Sequence, residues 1–128
     1  MKNIKIFTAV ALFSASISIH AATLASGNIY GGTTQSLAAC YLFNSSNQPV
    51  TVNSAQIYSE ATGAPITSVS FNNCVSTLNP GATCVVAGTI LNNATHACKM
   101  VTSTATGIRG NFEVRNSSNN PLRNTELR

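Results

Sequence analysis

The chain of 128 residues contains no tryptophan and no aspartate, and only 8% of its residues are charged. Without aspartate a Ser-His-Asp triad cannot form, and no serine stands in a Gly-x-Ser-x-Gly turn. Paired carboxylates for glycoside cleavage would have to come from Glu60, Glu113 and Glu126, which are widely separated in the sequence. No glycine-rich loop opens a helical pattern, so the usual nucleotide cradle is missing. We therefore expect no enzyme and no cofactor.

Positive charge is also sparse. Beyond residue 21, five Lys and Arg residues stand against three glutamates, a net charge of +2. These cations are scattered over the chain: Lys99, Arg109, Arg115, Arg123 and Arg128. A domain that binds nucleic acid usually concentrates such residues in a basic stripe. The sequence therefore predicts no nucleic-acid partner.

The first residues have the pattern of a signal peptide. Lys2 and Lys5 give a basic start, residues 6–19 form an apolar stretch of 14 residues, and small residues precede a cleavage point after Ala21. The apolar stretch is shorter than the roughly 20 residues that span a bilayer, so no membrane span is expected. We predict a signal peptide over residues 1–21 and one domain over residues 22–128, secreted or periplasmic.

Beyond residue 21, short β-type segments alternate with turn signals about every ten residues. The predicted strands lie within residues 36–44, 49–59, 65–71, 82–91, 96–104, 107–115 and 121–128. No window combines helical spacing with a helix cap. This rhythm predicts an all-β fold, an antiparallel immunoglobulin-like β-sandwich of about seven strands. An up-and-down barrel is the alternative.

Apolar and polar residues alternate most clearly in the segment "IRGNFEVR". Its apolar residues are expected to face the core, and its charged residues to face water. If the turn "NSSNN" closes a hairpin, Glu113 falls near Arg123 across the two strands, and the two form a modest stabilising pair. Leu122 and Leu127 predict that the last strand is integral to the sheet.

All four cysteines follow residue 21, and an exported small domain uses such cysteines as disulfides, so we expect two bonds and no free thiol. Four cysteines allow three pairings, and the sequence alone does not decide among them. The separation of Cys40 and Cys98 is typical of a bond between two sheets. A hairpin centred on the Pro-Gly turn brings Cys74 near Cys84, though not directly opposite. We favour the pairing Cys40–Cys98 with Cys74–Cys84.

A resemblance supports this picture. The stretch "CVSTLNPGATCVV" resembles the Cys…Leu-x-Pro-Gly-x-x-Cys hairpin of Hydin-type immunoglobulin-like modules in exported bacterial proteins, and "FNSSNQPVTV" is similar to the strand pair before it. The region after the signal peptide also resembles a group of small secreted bacterial proteins of unknown function. The resemblance implies a one-domain secreted protein and no catalytic residue to transfer.

The segment "HACKM" places three metal-ligating residue types at alternate positions, His96, Cys98 and Met100. On a strand all three share one face, which a copper site requires. Blue-copper proteins order their last ligands Cys, His, Met and add a distant histidine. Here the order is reversed and His96 is the only histidine after residue 21. We expect Cys98 to be oxidised, Met100 to be in the core, and no metal to bind.

Aromatic residues are the remaining candidates for binding. If Cys40 and Leu42 point inward, Tyr41 and Phe43 share the opposite face, where an exposed aromatic pair would indicate a partner. The alternative is a central strand that is covered on both sides. Tyr58 and Tyr30 are weaker candidates of the same kind.

Two classes of function remain after these exclusions. The first is a non-enzymatic binding module that contacts an unknown macromolecule, either a protein or an envelope component. The second is a structural subunit of a surface fibre or matrix. We expect a monomer under the first and an assembly under the second.

Overall fold

The computed structural model describes residues 20–128, so almost all of the predicted signal peptide lies outside the described residues. The predicted fold class is confirmed. The described chain is all-β, and two antiparallel five-stranded sheets pack as a sandwich. A barrel that closes through one continuous ladder is not formed.

Within residues 20–128, ten strands build the sandwich: β1 (Ala22–Ala25), β2 (Gln35–Asn44), β3 (Val50–Ser59), β4 (Ala64–Pro65), β5 (Val69–Asn72), β6 (Thr77–Leu78), β7 (Thr83–Thr89), β8 (His96–Thr102), β9 (Ile108–Asn116) and β10 (Pro121–Leu127). The first sheet has the strand order β1-β8-β3-β4, with β6 attached to β3. The second sheet has the order β10-β9-β2-β7-β5.

Each of the seven predicted segments overlaps a strand, and one of them is divided between the two sheets. Residues 65–71 contribute to both β4 and β5, because residues 66–68 cross from one sheet to the other. The amide of Ile66 bonds to Ile57 in the first sheet at 2.8 Å, and the carbonyl of Ser68 accepts from Thr89 in the second at 3.0 Å. The short strands β1 and β6 lie outside the predicted segments.

The core lies between the two inner faces and contains one large ring, Phe112, among aliphatic and sulfur-bearing side chains. The most deeply buried apolar residues come from strands of both sheets and, at Cys74, from the connection after β5: Ala38, Cys40, Leu42, Val50, Ile57, Cys74, Val86, Cys98, Met100, Phe112 and Val114. Most of them follow the alternation that the sequence shows, since alternate residues of a strand point to the same side.

The disulfide between Cys40 and Cys98 joins the two sheets through this core. Cys40 lies in β2 at the centre of the second sheet, and Cys98 lies in β8 of the first. Their Cα atoms are 6.1 Å apart, and both residues are almost completely buried. The pairing is the one favoured from the sequence.

The second disulfide, between Cys74 and Cys84, closes a loop that visits both sheets. The antiparallel register of β5 and β7 continues to these cysteines and places them opposite each other, with Cα atoms 5.1 Å apart. Between them, β6 pairs with β3 in the first sheet, and Gly81, at φ 75°, turns the chain back. The predicted hairpin centred on the Pro-Gly turn is therefore wrong. The strands on either side of this turn pair in different sheets.

One side of the sandwich is closed by main-chain hydrogen bonds. Ala25 and Arg128 exchange two backbone bonds of 2.9 and 3.0 Å, which link β1 to the end of β10. Leu127, the last residue of β10, is 6% exposed and belongs to the core. The opposite side of the sandwich is spanned by residues 66–68.

Both disulfides should contribute measurably to stability. On the chain-entropy model, replacing Cys40 and Cys98 by alanine should lower the free energy of unfolding by about 4 kcal/mol, and replacing Cys74 and Cys84 should lower it by about 3 kcal/mol. Urea unfolding of the two double variants measures this difference, and a thiol assay of the unfolded, unreduced wild type should detect no free thiol. Two or more free thiols, or a larger loss for the shorter loop, would contradict the assignment.

The last strand should be required for folding, because Leu127 packs into the core. Leu127→Ala is expected to lower the free energy of unfolding by about 2–5 kcal/mol. Arg123→Ala, at an exposed position of the same strand, should change it by less than about 0.5 kcal/mol. Urea unfolding compares the two variants, and equal effects would mean that β10 adds nothing to the core.

Candidate functional site

The outer surface of the second sheet carries Tyr41 and Phe43, two of the four aromatic residues that the sequence indicates for binding. Cys40 and Leu42 point into the core with no exposed surface, so Tyr41 and Phe43 lie on the other side of β2. We call this surface the aromatic face. It is formed by Tyr41, Phe43, Phe71, Val85 and Arg115.

Exposure of its rings distinguishes this face from the core. Phe43 is 40% exposed and Phe71 is 52% exposed, whereas Phe112 on the inner side has no exposed surface. Strand β2 is central, between β7 and β9. Of the two alternatives for this strand, the structure therefore supports neither in full. The strand is central, but the outer side chain of Phe43 stays exposed.

Phe71 was not identified from the sequence. The strand register places it opposite Ala87 of β7, which in turn lies opposite Ala39 of β2. Residues that pair in this way share one face of a sheet, so Phe71 extends the aromatic face to the sheet edge. The sequence shows its strand, "VSFN", but does not show that β5 pairs with β7 and not with its neighbour β4.

An ion pair lies on the part of this face away from Phe43, since Glu113 is opposite Ala39 and Arg115 is opposite Leu37. The Arg115 guanidinium donates to the Glu113 carboxylate through Nε at 2.8 Å and also through Nη2. The same Nη2 donates to the Tyr41 hydroxyl at 3.0 Å, and Nη1 donates to Asn119 Oδ1 at 2.9 Å. These bonds fix the Tyr41 ring on the face, since its hydroxyl is held from a neighbouring strand.

The predicted pair between Glu113 and Arg123 is wrong. A bulge between Pro121 and Arg123 shifts the register of β10, so that Asn124 lies opposite Glu113 and Arg123 lies opposite Val114. Glu113 is also 8% exposed and not solvated as expected. It pairs within its own strand, with Arg115, and the two side chains lie over the sheet.

Burial changes the acidity of the phenol. The pKa of Tyr41 is raised first by burial and then by the Glu113 carboxylate, while Arg115 opposes the rise. The phenol therefore remains neutral at physiological pH. A depression of about 280 Å³ lies beside it, lined by Leu37, Ala87 and Arg115 among others. The face thus combines exposed rings, a shallow hollow and fixed hydrogen-bonding groups.

The two weaker aromatic candidates lie elsewhere. Tyr58 is in β3 of the first sheet, and its hydroxyl donates to Gln56 Oε1 at 2.9 Å. Tyr30 is in the connection between β1 and β2, and its hydroxyl donates to the carbonyl of Asn92 at 3.3 Å. The structure therefore does not bring either ring to the aromatic face.

The three residues of the "HACKM" segment share one face, and that face is the core. His96 and Met100 have no exposed surface, and Cys98 is bonded to Cys40. Within residues 20–128, no cluster of three His, Cys, Asp or Glu side chains is placed to hold a metal ion. The oxidised state expected for Cys98 and the core position expected for Met100 are both found.

His96 has an unusual environment for a titratable residue. It lies opposite Ser59 of β3, and its backbone exchanges hydrogen bonds with Ile29. Neither ring nitrogen has a hydrogen-bond partner among the described residues. Burial lowers the pKa of His96, and the backbone of Ala94 opposes this change only in part. The Ala94 carbonyl already accepts from Gln35 Nε2 at 2.6 Å.

Comparisons with known proteins add no family to this description. No protein-family model, no curated protein and no solved structure matches the chain. Residues 20–128 contain no helix that is long and apolar enough to cross a membrane.

The burial of His96 predicts a specific pH dependence. Because its pKa in the folded protein lies below the unfolded value of about 6.5, the unfolded chain binds the proton first as the pH falls. The stability that depends on the neutral ring is complete above about pH 6.5 and is lost as the pH falls toward the folded-state pKa. Urea unfolding between pH 7.5 and pH 5 should therefore show a decrease of at most about 1.4 kcal/mol per pH unit from this residue.

The matched control is His96→Leu, which removes the titrating group and keeps an apolar side chain at this buried position. Its stability should depend less on pH over the same range. If the wild type and the variant lose stability in parallel, the ring is not held neutral in the fold.

Proposed function

We propose that this protein is a secreted or periplasmic binding module, not an enzyme, and that it contacts a macromolecular partner through the aromatic face. The partner is a protein or an envelope component. One observation carries the proposal. Phe43 and Phe71 are 40% and 52% exposed on a sheet surface whose third ring, Tyr41, is held in place by hydrogen bonding.

Exposed rings of this kind favour association because they remove apolar area from water at little cost in side-chain freedom. The fixed Tyr41 side chain adds to this, since it is already ordered before a partner arrives. The Arg115–Glu113 pair has a net charge near zero, and the exposed Arg109, which lies directly opposite Phe43, adds one positive charge to the face. Shape and apolar contact therefore act together with this one charge in determining which partner fits.

The polar groups of the face also suit a binding role better than a catalytic one. Arg115 and Glu113 bond to each other, and the Tyr41 hydroxyl accepts from Arg115. A nucleophile needs a neighbouring base and a third group that orients it. His96, the base available in residues 22–128, is buried on the opposite side of the second sheet from this face.

Two disulfides fit an extracellular or periplasmic protein. We infer further that residues 1–21 are a signal peptide and that a bacterial cell exports the domain. Strand β1 begins at Ala22, directly after the inferred cleavage point. The resemblance to Hydin-type modules and small secreted bacterial proteins supports the same inference.

A structural subunit is the second candidate, and the β5 edge favours it. All four residues of β5 are exposed, none is charged, and Val69 is 46% exposed. An uncharged edge strand is a template for pairing with another chain. Size-exclusion chromatography with light scattering at rising protein concentration separates the candidates. A stable monomer disfavours the assembly, and concentration-dependent growth supports it.

The proposal predicts that the double variant Phe43→Ser/Phe71→Ser loses its partner and keeps its fold. We expect a pull-down from the native envelope to recover the partner with the oxidised wild type, and recovery to fall by about tenfold or more with the variant. Melting should change by only a few degrees, because both rings are largely exposed.

The control is Tyr58→Ser, which removes an aromatic ring from the first sheet and should leave recovery unchanged. Equal recovery with the Phe43→Ser/Phe71→Ser variant would refute the role of the aromatic face. Unfolding of that variant would also count against it, since the rings would then be structural.

A further inference from the structure

Buried polar atoms without a partner are concentrated at one end of the sandwich. Among the described residues these atoms are Ser36 Oγ, Ser59 Oγ and the two ring nitrogens of His96. Ser36 is near the start of β2, Ser59 ends β3 and His96 begins β8. The carbonyl of Ser36 accepts from Ile90, the residue that follows β7, at 3.0 Å.

Another buried polar residue at this end shows that partners are otherwise supplied. Gln35 is 1% exposed, and its side chain makes three hydrogen bonds: it accepts from the amide of Gly31 and donates to the carbonyls of Leu91 and Ala94. The side chains of Ser59 and His96, in contrast to that of Gln35, make no hydrogen bond among the described residues. Buried groups of this type are normally satisfied, so their exceptions call for a physical reason.

Ser59 and His96 are also next to each other. They are direct neighbours across β3 and β8. The backbone hydrogen bond at this end of the ladder belongs to the next pair of residues, since the Glu60 amide donates to the Thr95 carbonyl at 3.1 Å. In an antiparallel ladder, a pair without backbone bonds brings its side chains closest together. The serine hydroxyl and the imidazole therefore form one polar spot within an apolar surrounding.

A groove of about 460 Å³ opens beside this spot. Ser59 and Ile90 form its buried part, and its walls come from residues 62–68 and 89–91. The walls include Pro65, Ile66 and Leu91, and Leu91 is 48% exposed. The lining residues that the structure describes carry no charge.

We propose that this groove binds an uncharged small molecule that is mostly apolar and carries one hydroxyl or carbonyl group, which bonds to the Ser59 hydroxyl beside the unpartnered His96 ring. The groove has the size of a small-molecule site, whose volumes run from about 300 to 1,000 Å³. A few polar groups at the base of an apolar cleft are the usual arrangement in such sites. A charged ligand is disfavoured because no opposite charge lines the groove.

The site is separate from the aromatic face. The groove lies where residues 64–68 pass between the two sheets, whereas the rings of Phe43 and Tyr41 lie on the outer surface of the second sheet. The inference therefore does not rest on the proposed macromolecular partner, and each can fail alone.

Binding can be tested with N-phenyl-1-naphthylamine, an uncharged probe whose fluorescence rises in apolar surroundings. We expect a saturable rise with the oxidised protein at pH 7.5. Octan-1-ol and octan-2-one, which represent the hydroxyl and the carbonyl, should displace the probe. Octanoate should compete at least about tenfold more weakly than the two uncharged compounds, because its charge has no partner in the groove. A rise that does not saturate, or equal competition by octanoate, would overturn the proposal.

Two variants locate the site. Leu91→Gln makes an exposed part of the groove wall polar and should lower the affinity of the protein for the probe. Ser59→Ala should lower the affinity for the better of the two displacing compounds about fivefold, the effect of one hydrogen bond. Phe43→Ser, on the aromatic face, should bind as the wild type does. The proton resonances of the His96 ring should shift when that compound is added.

Unchanged probe binding in Leu91→Gln would place the probe elsewhere on the protein. Unchanged displacement in Ser59→Ala would mean that the groove is an apolar cleft without a polar contact. Either result rejects the proposed site.

Discussion

The bond between Cys40 and Cys98 is the constraint on which the rest of the structure depends. It connects the central strand of one sheet to a strand of the other, through a core that contains only a single large ring, Phe112. A domain of this size buries a modest share of its surface, and a covalent link between its layers offsets that weakness. With the two sheets fixed at their centres, their outer faces and ends are free to carry function.

Two such places result, and they differ in chemistry. The aromatic face is broad and exposed, and its polar groups are bonded to one another through Arg115. The groove beside Ser59 has mostly apolar walls, and the buried Ser59 hydroxyl at its base lacks a partner. The first arrangement suits an extended partner and the second suits a compact ligand. Both arise because the chain crosses between sheets at almost every connection, which places successive strands on different layers.

Much of the fold follows from the local pattern of the sequence. Alternation locates seven strand segments and the inward side of β2, and the even cysteine count indicates two bonds. The errors occur where pairing depends on distant segments. The bulge in β10 moves Arg123 away from Glu113 by one position, and nothing in "NSSNNPLR" indicates that bulge. Phe71 was missed for a related reason, since its place on the face depends on the pairing of β5 with β7. The groove beside Ser59 depends on the packing of strand ends from both sheets, and no local sequence pattern indicates it.

The two sides of the sandwich are secured differently, and this has a dynamic consequence. Backbone bonds between Ala25 and Arg128 join the sheets at one side, while a three-residue crossing, residues 66–68, spans the other. Segments with few buried contacts and exposed hydrogen bonds open most readily in native proteins. Amide hydrogens of β4 and β5 should therefore exchange with solvent well before those of β2 and β8. This opening stays local to β4, β5 and the crossing between them, because the Cys40–Cys98 bond and the backbone bonds of Ala25 and Arg128 hold the two sheets together elsewhere.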